Sequence, residues 1–335
     1  MIHTAHVSTR CGIVLAAGEG MRLRSFILRL KGKALPKQYV NFIGSRSMLE
    51  HTFHRAEKMI PSDRLFTVIS RDHLGHSEVR RQLATRPRGT VVLQPENKET
   101  GPGLLLPLMH AYKQHPDAVV VIFPSDHFIV EEDLFMGHVE LACRQVERDP
   151  SRMVLLGVEP DGPEGEYGYI LPVERQDPEF SLPARKVSRF IEKPHPSAAQ
   201  ELIGKGGVWN TMVMIFKAKT LVDLVRRAAP KLHQVFHRIW QAIGTSQETA
   251  VIKEVYRKIE SVNFSKELLE TFPSQNPSAL WVLPVRGVLW SDWGSEQRIM
   301  SVLQRTGHLS RFLSAQNGRL RQREGAPAGC GSGVA

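Results

Sequence analysis

The chain of 335 residues is 41% hydrophobic and 23% charged, as is ordinary for a soluble globular protein with one large core, and it is basic, with a net charge of +10. No apolar run approaches the roughly 18 residues of a membrane span, and residues 1–10 lack the apolar segment of a signal peptide, so we expect a cytoplasmic protein without a membrane partner. The positive charge is spread along the chain and no nucleic-acid-binding motif is present, which favours small polyanions over nucleic acid as partners.

The first half of the chain alternates short apolar runs with helical patterns. Each run has four to six residues and is continuously apolar, which is typical of strands buried on both faces of a parallel sheet. The predicted strands are 12–17, 65–70, 90–93, 118–123 and 153–158, and the predicted helices are 47–60, 74–85, 103–115 and 132–147. This order predicts an α/β fold with a doubly wound, mostly parallel sheet.

The second half is more mixed, and its predicted elements continue the same domain. The predicted strands are 169–173, 186–191, 208–216, 281–284 and 288–290, whereas 218–259 and 295–305 are predicted to be helical. We expect a single domain over 1–312. The remainder, 313–335, is rich in Gly, Ala, Ser and Arg and predicts a disordered tail. Cys11, Cys143 and Cys330 are scattered and predict free thiols.

A candidate phosphate loop follows the first strand. Ala16, Ala17, Gly18 and Gly20 are small enough for backbone N–H groups to approach phosphate oxygens, and Arg22 is suited to bidentate phosphate binding. The carboxyl end of a strand is also where ligands bind in open α/β sheets. A plain strand-to-helix turn fits the glycines equally well, and the loop is not a Walker A motif because no GK[ST] follows.

A proline-lysine-glutamine segment follows at 36–38, and Lys37 is a compact charge suited to a phosphate under attack. Alone, this segment is equally a surface turn. Together, the GxGxRL loop and this segment resemble the sugar-nucleotide pyrophosphorylase family, and mannose-1-phosphate guanylyltransferases in particular. The resemblance implies a Rossmann-like sheet with an inserted sugar-binding region, a nucleotide-binding half over about 1–158 and a sugar-binding half over 159–312. It also implies that Arg22 holds the NTP β- and γ-phosphates and that Lys37 contacts the α-phosphate.

The segment 94–102 resembles the part of the family that holds the base and ribose, which implies a nucleotide role for Asn97 and Thr100. Lys98 stands where the family has arginine, and Met21 stands where it usually has threonine. The segment between Arg22 and Lys37 is also a few residues longer than usual in the family. Lysine cannot replace the bidentate contacts of arginine, so base recognition is left open.

Two aspartates are predicted to bind Mg²⁺. Asp126 follows a buried strand in a Pro-Ser-Asp-His segment, and Asp292 lies in a Trp-Ser-Asp-Trp-Gly-Ser segment. Each could alone be a turn or capping residue, but Mg²⁺ prefers oxygen ligands. Both segments resemble family motifs, which implies that the two carboxylates share the metal. The Asp-His pair favours guanylyl transfer over uridylyl or thymidylyl transfer.

Three further segments resemble the sugar 1-phosphate site of the family. Tyr167 and Gly168 resemble its TGYGYI segment, with Glu166 in place of threonine. Glu192 and Lys193 resemble its EKP motif, although neighbours on a strand normally point to opposite faces and a twist or bulge is needed to bring both to one site. Asn210 resembles the asparagine of its WN[ST]G motif, with Met212 in place of glycine.

These observations predict a Mg²⁺-dependent nucleotidyltransferase that joins a sugar 1-phosphate to an NTP and releases pyrophosphate. The preferred substrates are mannose 1-phosphate and GTP, which would give GDP-mannose. Three alternatives stay open: the same reaction with another NTP and hexose 1-phosphate, a catalytically silent nucleotide-sugar-binding protein, and a nucleic-acid-binding protein that would account for the charge. The oligomeric state is also open, with a homodimer as one option.

Overall fold

The computed structural model describes residues 9–174 and 184–314. The strands in chain order are β1 (Arg10–Leu15), β2 (Leu65–Ser70), β3 (Val91–Gln94), β4 (Val119–Pro124), β5 (Phe128–Ile129), β6 (Met153–Val158), β7 (Gly168–Pro172), β8 (Arg185–Glu192), β9 (Val208–Lys217), β10 (Leu280–Val285) and β11 (Trp290–Ser291). The α-helices are α1 (Arg24–Lys31), α2 (Met48–Ala56), α3 (Ser77–Leu83), α4 (Thr100–Gln114), α5 (Glu132–Arg148), α6 (Pro196–Gly204), α7 (Ala218–Ala228), α8 (Pro230–Ala242), α9 (Glu248–Lys258), α10 (Phe272–Gln275) and α11 (Glu296–Arg305).

Nine strands form one mixed sheet in the order β3-β2-β1-β4-β9-β6-β10-β8-β7, and β7 also pairs with β9. The pairs β1–β2, β1–β4, β2–β3 and β6–β10 are parallel. β9 is antiparallel to both β4 and β6, and β8 is antiparallel to both β10 and β7. Seven of the nine strands therefore run in one direction, and β8 and β9 run in the opposite direction. The sheet contains strands from both halves of the chain.

The sheet carries helices on both faces, as the apolar strands predict. All six residues of β2, of β4 and of β6 are buried. Residues of α2 and α5 pack in the hydrophobic cluster on one face, and residues of α4, α7, α8 and α9 pack in the cluster on the other. The predicted doubly wound α/β fold is thus confirmed, because continuously apolar strands require cover on both sides.

Three helices of the described residues were not predicted from the sequence: α1, α6 and the short α10. α1 occupies the long segment between Arg22 and Lys37, where Phe26, Ile27 and Leu30 face the core among basic residues. It ends at Gly32, whose φ of 75° suits a glycine cap. α6 begins with a proline at its first turn.

Some predicted boundaries were wrong. The helix predicted over 74–85 begins only at Ser77, after a 3₁₀ turn. The late strand predicted over 288–290 is β11, which pairs with β5 in a separate two-stranded sheet. The helical stretch predicted over 218–259 is divided into α7, α8 and α9.

Some expectations lie partly or wholly beyond the described residues. The predicted tail, 313–335, lies outside them apart from residues 313 and 314, which are helical. Cys330 also lies outside them, whereas Cys11 and Cys143 are buried free thiols. Within 9–174 and 184–314, no helix has the length and apolar character that crossing a membrane requires.

Candidate active site

A cavity of about 310 Å³ opens at the carboxyl ends of the parallel strands. It lies beside the loops that follow β1, β3 and β4, which is where ligands bind in open α/β sheets. Its lining includes four residues predicted to bind the nucleotide and one predicted to bind Mg²⁺: Ala17, Gly18, Asn97, Thr100 and Asp126.

The candidate phosphate loop is held by the segment that follows α1. Gln38 Nε2 donates to the carbonyls of Ala16 and Gly18, each at 2.8 Å, and the Tyr39 hydroxyl donates to the same Ala16 oxygen at 3.1 Å. Gly20 has a φ of 62°, and a Cβ there would lie 3.1 Å from the Lys37 backbone nitrogen. The loop and Lys37 are therefore brought together as one unit, although α1 separates them in sequence.

Lys37 lies between the two predicted metal ligands. Its Nζ is 3.0 Å from Asp126 Oδ2 and donates to the Asp292 carbonyl oxygen at 2.5 Å. Only 7% of the Lys37 side chain is exposed, against 39% for that of Asp126. Burial by itself would raise the pKa of Asp126, but the Lys37 charge lowers it below the ordinary value.

The carboxylate of Asp292 is fixed through one oxygen. Its Oδ1 accepts hydrogen bonds from the Tyr167 hydroxyl at 2.9 Å, the Gly294 N–H at 2.9 Å and Arg298 Nη1 at 3.0 Å. Burial raises the pKa of Asp292, but the Lys37 and Arg298 charges lower it more. Asp292 is therefore ionised. Its other oxygen, Oδ2, faces Arg22, whose Nη2 lies 3.7 Å away.

Arg298 was missed in the sequence. It lies in α11 and bonds Glu164 at 2.7 Å and Glu166 at 3.3 Å in addition to Asp292, and its guanidinium lies 4.6 Å from the centre of the Tyr167 ring. The only signal available was its position one helical turn after the predicted aspartate segment. That spacing does not show which way a helical side chain points.

Arg22 is paired with an acidic residue in this structure. Its Nη1 makes an ion pair with Glu166, the residue that departs from the family pattern. Both side chains are about half exposed, at 54% and 47%, so the pair is accessible to an incoming anion. An exposed ion pair contributes little to stability, about 1 kcal/mol or less. A phosphate group can therefore replace Glu166 as the partner of Arg22.

Three of the predicted sugar-phosphate residues, Gly168, Glu192 and Asn210, come together. Gly168 pairs with Glu192 between β7 and β8, and a Cβ on Gly168 would lie 2.7 Å from Glu192 Oε2 and 3.4 Å from Asn210 Cβ. Burial raises the pKa of Glu192, and the nearby Glu270 carboxylate raises it further, despite the opposing charge of Lys193. Lys193 has a φ of 51°, which ends the strand alternation after Glu192; that its side chain reaches the same site stays a prediction.

One end of the cavity holds a buried acceptor without a partner. Gln94 is 1% exposed, and its Nε2 donates to the Glu96 carbonyl at 2.6 Å, whereas its Oε1 has no hydrogen bond within the described part of the chain. Asn97 Oδ1 accepts from the Glu99 N–H, and Thr100 Oγ1 accepts from the Phe264 N–H. Because an unpaired buried acceptor is costly, Gln94 is suited to a ligand donor that it would meet once its side chain turns toward the cavity.

His127, beside Asp126, is neutral. Trp290 Nε1 donates to its Nδ1 at 3.3 Å, which leaves the proton on Nε2, 3.7 Å from Asp126 Oδ1. Burial lowers the pKa of His127 below its ordinary value. The charge that faces Asp126 at this site is therefore supplied by Lys37.

The donor set suits a metal that substrate phosphates help to hold. Within 9–174 and 184–314, no three His, Cys, Asp or Glu side chains converge on a metal position. Mg²⁺, however, commonly binds one or two carboxylates together with substrate phosphates and water. Asp126 and Asp292, both ionised and both close to Lys37, fit that mode.

A larger depression of about 870 Å³ lies on the far side of His127. It is lined by residues of α2, of α5 and of the segment after β4, and the described residues of the phosphate loop are not part of its lining. Of the predicted site residues, none lines it. We therefore place the candidate active site in the smaller cavity.

The sheet order and the loops at its carboxyl edge define a nucleotide-diphospho-sugar transferase fold. The profile of the family described as "Nucleotidyl transferase" matches residues 11–307. The chain therefore belongs to the nucleotidyl transferase family.

Individual relatives are about 25% identical to this chain over the segments that match. The Xanthan biosynthesis protein XanB of Xanthomonas campestris pv. campestris is 25% identical over 297 residues, which cover 88% of this chain and 60% of that protein. The Mannose-1-phosphate guanylyltransferase 2 of Escherichia coli O157:H7 is 24% identical over 314 residues, with the same coverage of 88% and 60%. The chain thus spans about three fifths of the length of these relatives.

A solved structure from Thermus thermophilus, described as a mannose-1-phosphate geranyltransferase, is also similar. It is 26% identical, with a TM-score of 0.73, and the match covers 88% of this chain and 79% of that chain. The similarity in fold therefore extends over nearly all of the described residues.

Proposed function

We propose that this chain transfers a nucleoside monophosphate from an NTP to a sugar 1-phosphate and releases pyrophosphate, with GTP and mannose 1-phosphate as its substrates. The observation that carries the proposal is the position of Lys37 between Asp126 and Asp292, beside a cavity with a candidate phosphate loop. Membership of the nucleotidyl transferase family supports the reaction class. The relatives named mannose-1-phosphate guanylyltransferase support the choice of substrates.

In this reaction, a phosphate oxygen of the sugar 1-phosphate attacks the α-phosphorus of the NTP. A new P–O bond forms, the bond between the α-phosphorus and the bridging oxygen breaks, and pyrophosphate leaves with the electron pair. The nucleophile is already an anion, so a general base is not required. The protein therefore contributes position and positive charge.

Three basic residues have distinct roles in the proposal. Lys37 neutralises charge on the α-phosphate, and Arg22 exchanges Glu166 for the departing pyrophosphate. Lys193, which follows Glu192 at the end of β8, anchors the sugar phosphate. Asp126 and Asp292 would hold Mg²⁺, which supplies a Lewis acid for the phosphate oxygens when bound.

In this proposal Gln94, which lines the cavity, turns its unpaired Oε1 toward the base of the bound nucleotide. Guanine carries two donors on one edge, the N1–H and the 2-amino group, and either would satisfy this acceptor. The gain would be larger than that of an exposed hydrogen bond, because the acceptor is buried and otherwise unpaired.

Pyrophosphate release by the purified chain with Mg²⁺ tests the proposal. Each of the four NTPs is combined with mannose 1-phosphate or glucose 1-phosphate, and the Lys37→Ala variant serves as a blank. Release with GTP and mannose 1-phosphate alone supports the whole proposal. Release with another pair retains the reaction and overturns the substrates. Nucleotide binding without release from any pair overturns catalysis and favours a silent binding protein.

A further inference from the structure

Met212 has a left-handed backbone conformation that glycine would adopt with less strain. Its φ is 56°, and four non-glycine residues in the described ranges have such values: Glu99, Lys193, Met212 and Trp293. A left-handed conformation costs a residue with a Cβ about 1–2 kcal/mol. Glu99, Lys193 and Trp293 lie in loops beside the candidate site, and Met212 lies inside β9; such strain accompanies function at many sites.

A β-bulge in β9 creates this conformation. Asn210 pairs with Gly157 of β6 and Met214 pairs with Leu155, so three residues of β9 lie opposite one residue of β6. Asn210 Oδ1 accepts the Met212 N–H at 3.0 Å in place of a partner from the sheet. Bulges beside active sites commonly change the direction of a side chain, and this bulge changes the direction of Met212 relative to the regular alternation of β9.

Met212 lines the candidate nucleotide cavity. Met212 is the one described residue in the lining of the cavity that comes from the predicted sugar-binding half, 159–312. Its Sδ lies 3.2 Å from Ser265 Oγ, and the preceding residue, Phe264, donates its N–H to Thr100 Oγ1 at 2.9 Å. The Ser265 hydroxyl also bonds Glu192, so the thioether lies between the Thr100 end of the cavity and the predicted sugar-phosphate residues.

We propose that Met212 is a specificity-determining residue that limits the room for the nucleoside and excludes nucleotides with additional bulk on the base or ribose. This inference rests on the proposed function, because it requires an NTP in the cavity. The thioether is apolar and adaptable, so it can form a wall against an unmodified nucleoside without requiring a polar partner. A glycine at 212 would remove both the strain and the wall.

The test compares binding of natural and enlarged nucleotides by calorimetry. GTP, 8-bromo-GTP and 2′/3′-O-(N-methylanthraniloyl)-GTP are titrated into wild type, Met212→Gly, Met212→Ala and Met212→Leu, with ATP, CTP and UTP as references. If wild type prefers another NTP, the enlarged analogues are made from that nucleotide. Met212→Leu retains the volume of the side chain, and Met212→Ala removes the wall while keeping a Cβ.

We expect Met212→Gly and Met212→Ala to lower the discrimination against at least one enlarged analogue about tenfold or more, the usual effect of one or two methylene groups in a pocket. Met212→Leu should discriminate as wild type does. Unchanged discrimination in the glycine and alanine variants, with the natural nucleotide still bound, would overturn this inference alone. If folded wild type binds no NTP, the proposed function fails and this inference fails with it.

Discussion

Lys37 Nζ lies 3.0 Å from Asp126 Oδ2, and the lysine side chain is almost completely buried. The two residues are 89 positions apart, one after α1 and the other after β4. A buried ammonium group requires a charged or polar partner, and here the partners are one carboxylate and the backbone carbonyls of residues 292 and 293. The cluster thus joins the edge of the sheet that carries the candidate phosphate loop to the loop that precedes α11.

Replacing Lys37 by methionine keeps most of the volume of the side chain and removes its charge. We expect kcat for pyrophosphate formation to fall about 10²–10³-fold, as when one preorganised donor is removed from a transition state, with a smaller effect on KM. The control is Lys33→Met, which removes a half-exposed lysine that is paired with Glu78. Equal kcat in the two variants would remove Lys37 from the proposed role.

Asp292→Asn is expected to weaken divalent cation binding without unfolding the chain. Asparagine can retain the acceptor for Tyr167 and Arg298 but lacks the negative charge that Mg²⁺ favours. The dissociation constant of Mn²⁺ with GTP present, measured by electron paramagnetic resonance, should rise about tenfold or more. Asp161→Asn, at an exposed pair with Arg305, should leave it unchanged. An unchanged constant in Asp292→Asn would argue against a metal at this residue.

Gly294→Ala is expected to disturb the charge cluster directly. A Cβ at this position would lie 2.5 Å from Asp292 Oδ2, 2.8 Å from Arg298 Nη1 and 3.1 Å from Arg22 Nη2. We expect a loss of activity of about tenfold or more, since small displacements of positioned groups have large effects on rate. The control, Gly137→Ala in α5, meets no atom within 4 Å and should stabilise the helix by about 0.5–1 kcal/mol. Full activity in Gly294→Ala would show that the cluster adapts.

Glu192→Gln is expected to change how stability depends on pH. Because burial raises the pKa of Glu192 in the folded state, the folded protein binds more protons than the unfolded chain between the ordinary and the raised value. The contribution of this residue to the free energy of unfolding therefore falls as pH rises through that window. Urea unfolding from about pH 4 to about pH 8 should show the variant gaining stability relative to wild type as pH rises.

Glu201→Gln is the control for that series. Lys205 lowers the pKa of Glu201, so this carboxyl group stabilises the folded state at neutral pH and stabilises it less as pH falls. Glu201→Gln should therefore lose stability relative to wild type as pH rises, the opposite of Glu192→Gln. Parallel curves for wild type and Glu192→Gln across the pH range would show that the carboxyl group has no raised pKa.

The sequence alone identified ten of the eleven strands in the described residues, all but β5, and the candidate chemical groups. Continuous apolar runs identify buried strands such as β4 and β6 because the pattern is local and requires cover on both faces. The phosphate loop, Lys37 and the two aspartates were visible because their motifs are short and contiguous. The helix α1 was missed because its apolar residues alternate with basic ones, and its burial depends on the core against which it packs.

Only the tertiary structure decided which of these groups meet. The pairing of Lys37 with Asp126, the attachment of Arg298 to Asp292 and the position of Met212 in the lining of the cavity each join or redirect residues across elements. No local pattern specifies them, because a long side chain on a helix or a bulge has several directions, and packing selects one. The sequence therefore supplied the candidate reaction groups, and the fold determined which carboxylate each cation faces.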